Sequence, residues 1–148
     1  MIRNDKEYRH SKKRIDELEG QLSSVSTERS GVQSQINAAV KDALRMQIED
    51  IEREIEEYED LKEGRLLSFS TDNLDSLGEI ITKARIAQGL TQTELGEKLG
   101  ITQQQVQRYE RNGWQKISIW RLAEAADALG LDLSIRARVS ASSTASVG

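Results

Sequence analysis

The sequence predicts a mainly α protein: an N-terminal helical hairpin or coiled-coil arm, a compact helical domain, and one C-terminal β-strand. Three observations predict it. Residues 3–63 carry apolar side chains every three or four positions and no proline, residues 74–130 break into short amphipathic segments punctuated by glycine, and residues 131–139 alternate apolar with polar. The first two are helical periods and the third is that of a strand. With 36% hydrophobic residues and a mean hydropathy of -0.61, the whole chain cannot close around one large core, so much of it must be exposed helix. Five segments follow: an arm (1–64), a linker (65–73), a helical domain (74–130), a strand (131–139) and a disordered tail (140–148).

The arm has two apolar seams, Ile15, Leu18, Leu22 and Val25, then Ile48, Ile51, Ile55 and Tyr58. Both have coiled-coil spacing. They do not share one register, and the polar stretch SSVSTERSG (23–31) between them ends in glycine, which predicts a break. An uninterrupted helix of about 60 residues would instead span about 90 Å. It would keep residues 1–14, with six basic and two acidic groups, far from residues 48–63, with nine acidic and two basic. Folding back brings these blocks together, so charge favours the hairpin. The acidic run itself reads first as a solvated helix face, and second as a docking site for a basic partner protein.

Gly64 stops the arm, and RLLSFSTDN (65–73) connects it to the domain with some extended character. An opening helix is expected from about Asn73 or Asp75, burying Leu77, Ile80, Ile81, Ala84 and Ile86 before Gly89 ends it. The next stretch, TQTELGEKLGITQQQVQRYE (91–110), has the spacing of a helix-turn-helix, two short helices whose second member is shaped for the DNA major groove. Thr91 caps the first helix with Glu94 completing a capping box, and Leu95 and Leu99 face inward. Gly100 suits the left-handed turn, and Gly96 permits close approach of the two helices. Thr102 caps the second helix; Val106 and Tyr109 face inward and Gln103, Gln104, Gln107 and Arg108 outward. Neutral amides are unusual on a solvated face, but glutamine can pair with adenine and arginine with guanine.

Ser118 caps a final helix from Ile119 to Leu129, with Leu122, Ala125, Ala126 and Leu129 inward and Trp120 expected to pack on the core or its flank. Trp114, in the preceding loop, is also expected to pack. LDLSIRARV (131–139) then alternates without exception, and a strand needs a partner for its backbone groups. The expected partner is the same strand of a second copy, antiparallel across a twofold axis, with Arg136 and Arg138 on the polar face.

The stretch RIAQGLTQTELGEKLGITQQQVQRYE (85–110) resembles the phage repressor and Cro-like helix-turn-helix proteins of the XRE family, and the wider likeness runs from about Leu77 to Leu131. The resemblance implies that Gln103, Gln104 and Arg108 meet bases, that Gln92 binds a phosphate, and that Arg85 pairs with Glu110. Gln107, Arg111 and Lys116 are expected to join Gln92 on the phosphates. Two departures stand out. Gly96 replaces the family's usual alanine, which is expected to loosen packing slightly, and RNGWQKIS (111–118) is not the usual loop.

Net charge agrees with DNA binding only when divided. Residues 1–64 carry 11 basic and 16 acidic groups, whereas residues 65–148 carry 10 and 9, a balance of +1. Phosphate contacts must then come from local groups, Lys83 and Arg121 included, and two copies on a palindromic site would be needed for affinity. Absence of cysteine removes disulfides, zinc fingers and thiol nucleophiles, and the one histidine, His10, lies in a charged segment. No phosphate loop, metal-ligand cluster or nucleophile motif is present, so no enzyme, cofactor, metal or catalytic residue is expected. Nor is there a run of 18 apolar residues or a secretory signal, which predicts a soluble, cytoplasmic protein without a membrane partner. The expected function is a sequence-specific transcription regulator, a homodimeric (auto)repressor of double-stranded DNA reading the major groove with residues 102–110. The alternative is an antitoxin or adaptor that binds a basic partner, such as a toxin, through the acidic arm.

Overall fold

The computed structural model of the 148-residue chain describes residues 1–27 and 30–141. Its arm is two antiparallel helices, α1 (Asp5–Ser24) and α2 (Val32–Lys62). Asn4 starts α1 by accepting the Glu7 amide at 2.9 Å, and the Glu7 carboxylate accepts the Arg3 amide in return, also at 2.9 Å. The seam closes on Leu18, Leu44 and Ile48, flanked by Ile15, Leu22, Val25 and Ile51. The chain therefore folds back, and the opposed charge blocks meet. The Met1 amino group lies 2.8 Å from Glu54, Lys62 3.2 Å from Asp5, and the Tyr8 hydroxyl donates to Glu59 at 2.5 Å. At 31 residues against 20, α2 runs past the end of α1, and its first turns leave Val32 and Ile36 exposed.

After the linker, a 3-10 turn (Leu74–Ser76) capped by Asn73 leads into α3 (Leu77–Ala87), followed by α4 (Gln92–Leu99), α5 (Gln103–Arg111) and α6 (Ile119–Ala128). Their core is Ile81, Ala84, Leu95, Val106, Trp114, Ala125, Ala126 and Leu129. Ile86 does not join it. It sits with Ile2, Ile55, Tyr58 and Leu61 in a second cluster, so α3 packs on the domain with one face and on the arm with the other. Arm and domain are fused through buried apolar surface, which a reading of 65–73 as a mere connection does not convey.

Two expectations fail here. Residues 131–139 form no strand in the single chain: after Leu131, which packs on the core, the backbone finds no partner among the described residues and Leu133, Ile135 and Val139 stand exposed. Strand periodicity is present, but a lone strand has no neighbour to take its N–H and C=O groups, and residues 65–73 form no strand either. Trp120 is not packed but 77% exposed. Ala125, Ala126 and Leu129 fix the buried face of α6, and a residue two positions before Leu122 falls on the other side of the helix. The expected disordered tail lies mostly outside the described residues. Among those described, no helix is long and apolar enough to cross a membrane.

Candidate nucleic-acid interface

Local sequence builds the two motif helices. Thr91 Oγ1 accepts the Glu94 amide at 3.1 Å while the Glu94 carboxylate accepts the Thr91 amide at 2.7 Å. The backbone and then the hydroxyl of Thr91 hold the Glu94 carboxyl below its usual range. The second helix repeats the device: Thr102 Oγ1 accepts the Gln105 amide at 3.2 Å, and Gln105 Oε1 accepts the Thr102 amide at 3.0 Å. Of the three consecutive glutamines, the last is thus a cap. Gly100, at φ 66°, makes the left-handed turn. Gly96 tightens rather than loosens the unit, since a Cβ there would stand 2.7 Å from the Ile101 carbonyl oxygen.

Beneath these helices lies a polar network with almost no exposure: Arg85 3%, Gln92 5% and Glu110 2%. Arg85 clasps Glu110 through Nε at 2.5 Å and Nη2 at 2.9 Å. Its remaining donors reach the Leu90 carbonyl and the Arg3 carbonyl, each at 2.7 Å. Glu110 also accepts the Gln92 amide nitrogen at 2.7 Å, and Gln92 Oε1 accepts Gln103 Nε2 at 3.3 Å. No buried side-chain polar atom among the described residues lacks a partner. The network locks the end of α5 (Glu110) to α3 and the start of α4, which sets the angle at which α5 is presented.

The sequence-predicted site residues are therefore divided. Gln104, Arg108, Arg111 and Lys116 are exposed, Gln103 and Gln107 are half-buried, and Gln92 is buried with its amide committed to Glu110. Lys83 turns away from this face. It bonds Glu57 at 2.6 Å and Glu79 at 2.8 Å; partial burial works against its charge, but the two carboxylates outweigh that and its pKa is raised. Arg121 is likewise engaged, by Glu124 at 2.7 Å. Lys116 sits in a loop where Gly113, Trp114 and Lys116 all have positive φ. Trp114 tolerates this because its ring is 2% exposed and its indole N–H donates to Thr82 Oγ1 at 3.2 Å.

Sequence reasoning missed three contributors. Asn4 reaches Gln92 Oε1 at 3.5 Å, the Arg3 carbonyl caps Arg85, and Gly78 lies so close to the 113–114 backbone that a Cβ would be 2.1 Å from the Gly113 oxygen. A glycine at 78, in the first turn of α3, was the one available signal. Nothing local points to the first two.

The family model described as Helix-turn-helix matches residues 81–135, just over a third of the chain. No curated protein and no solved structure matches. The fold and this match define a class, the DNA-binding transcription regulators that bind double-stranded DNA through a helix-turn-helix. Within that class, residues 81–135 are similar to the XRE-type helix-turn-helix.

Proposed function

We propose that the chain is a sequence-specific, dimeric repressor whose α5 enters the major groove, with Gln103, Gln104 and Arg108 meeting bases and Gln107, Arg111 and Lys116 meeting phosphates. The observation that carries this is the pairing of an exposed Gln104 and Arg108, one helical turn apart, with a fully buried network that fixes the helix beneath them. Gln92 contributes differently from a free phosphate ligand: its side chain braces Gln103 and Glu110, leaving its backbone N–H at the start of α4 for an anion. A domain of charge about +1 needs a second copy for affinity. The exposed Ile119 and Trp120 supply an apolar surface on which copies can meet.

The test is a binding selection on random duplex DNA with the full chain. An enriched palindromic motif is expected, and Gln104→Ala should relax one base position by about 1 to 3 kcal/mol of discrimination. Recovery of no motif would remove the reading. The second reading, partner capture by the arm as in an antitoxin, has its own support: Glu49, Asp50, Glu52 and Glu56 are exposed along α2, and Val32 and Ile36 are uncovered near its start. The acidic face of α2 could hold a basic protein while α5 holds DNA.

A further inference from the structure

The start of the arm shares a cleft with the motif helices. This cleft, of about 460 Å³, is lined by Asn4 and Lys6 from one side and by Thr93, Gln103 and Gln107 from the other. The arrangement is pinned by the Arg3 carbonyl on Arg85 and by Asn4 on Gln92. Lys6 therefore stands beside the groove-facing end of α5. At about 100° per residue, Arg9, His10 and Lys13 lie on the same face of α1 as Lys6, diametrically opposite the seam residues Ile15, Leu18 and Leu22. All four are exposed.

Of the acidic groups beside this face of α1, Asp5, Glu7 and Glu17 are engaged, and only Asp16, exposed at its edge, has no ion pair among the described residues. Asp5 bonds the Tyr58 hydroxyl at 2.7 Å and Lys62 at 3.2 Å, Glu7 takes the Arg3 amide at 2.9 Å, and Glu17 holds Arg14 at 3.3 Å. By contrast, no ion pair among the described residues involves Lys6, Arg9 or Lys13. An overall acidic arm thus presents one basic strip, and it begins where the DNA-reading surface ends.

We propose that this face of α1 is a second DNA-contacting element, which lies on the phosphate backbone flanking each half-site through Lys6, Arg9 and Lys13. The inference rests on the reading of α5 given above. The three cations span about 10 Å of helix axis, which matches about three base-pair steps. They contact backbone rather than bases, so they add affinity and salt dependence without sequence preference. The arm is thereby a clamp on flanking DNA as well as a spacer, and the low charge of the domain itself is supplemented from outside it.

The experiment compares the full chain with the Lys6→Gln, Arg9→Gln, Lys13→Gln triple variant on two duplexes carrying the selected site, one with flanks of a full turn and one cut at the half-site edges. Circular dichroism checks that the variant keeps its helix content, which exposed side chains should not disturb. On the long duplex the variant dimer, which lacks three cations on each of its two protomers, should bind at least about tenfold more weakly and lose about five units of salt slope, with its base preference unchanged. On the short duplex the two proteins should bind alike. Equal binding on the long duplex, or an equal loss on both duplexes, overturns the proposal. If the wild-type protein selects no motif yet the difference in slope persists on arbitrary long duplex, the reading of α5 fails and the α1 contact stands.

Discussion

In the arm, charged side chains sit at the surface and apolar ones fill the seam; in the helix-turn-helix domain, an arginine, a glutamate and a glutamine sit in the core. The ion pair of Lys12 and Glu59 spans 3.8 Å with side chains 56% and 39% exposed, whereas Arg85 and Glu110 meet at 2.5 Å with 3% and 0%. The two pairs have the same formal charges and opposite consequences. An exposed pair is screened and replaceable, while a buried one cannot lose a member without stranding its partner's charge. The arm is held by area, and many sequences would serve. The domain is held by a specific network that also aims α5, so its stability and its function rest on the same atoms.

The largest expected effect breaks that network. Glu110→Ala leaves the Arg85 guanidinium and the Gln92 amide buried without their acceptor, and should cost about 3 to 5 kcal/mol in urea unfolding together with all sequence preference. Leu18→Ala tests the arm by its own logic. A fully buried seam residue should cost about 2 to 5 kcal/mol, through the lost methyl groups and the cavity left behind, yet leave the selected DNA motif unchanged. Should the motif change as well, the two regions are less independent than their chemistry suggests.

Gly78→Ala comes next. Its Cβ would overlap the 113–114 backbone, so overpacking should cost about 1 to 3 kcal/mol, read as a lower thermal midpoint and altered Trp114 fluorescence. Lys12→Ala should leave the unfolding midpoint unmoved, and a clear drop would show that the arm's surface pairs matter more than their exposure implies. A pH titration sharpens the contrast at the junction. Burial, then the hydrogen bond to Asp5, pushes the Tyr58 phenol up from 10.0, so its contribution to docking is full below that pH and is lost as pH rises through the higher folded value. The Asp5 carboxyl, lowered by Tyr58 and then Lys62, acts in reverse, contributing above pH 3.8 and fading as pH falls below it. Helix content should therefore decline slightly at both extremes, with Tyr58→Phe removing the alkaline part.

The fold was legible wherever the deciding interactions are local. Thr91 with Glu94 and Thr102 with Gln105 are three residues apart, and Gly100 adopts its turn by its own lack of a side chain, so caps and helix limits could be read directly. The hairpin was also legible, because opposed charge blocks and two out-of-register seams leave few arrangements. LDLSIRARV misled because period two states what a strand would bury but not whether a neighbour exists to receive its backbone. Trp120 misled because large aromatic rings are usually packed, whereas the inward face of α6 was fixed by smaller residues.

By itself, then, the sequence determined the helices, their ends, the seam of the arm, and the outward amides and arginine of α5, since each is encoded within a few residues. Only the tertiary structure decided what Gln92 and Lys83 do, and where the arm begins. Asn4 meets Gln92 from 88 positions away and the Arg3 carbonyl meets Arg85 from 82, distances over which no local rule operates. A side chain's role at such a junction depends on which partner reaches it, and that is settled by packing: once Ile2, Tyr58, Leu61 and Ile86 bury together, the first turn of α1 has no place to lie except beside the reading helix.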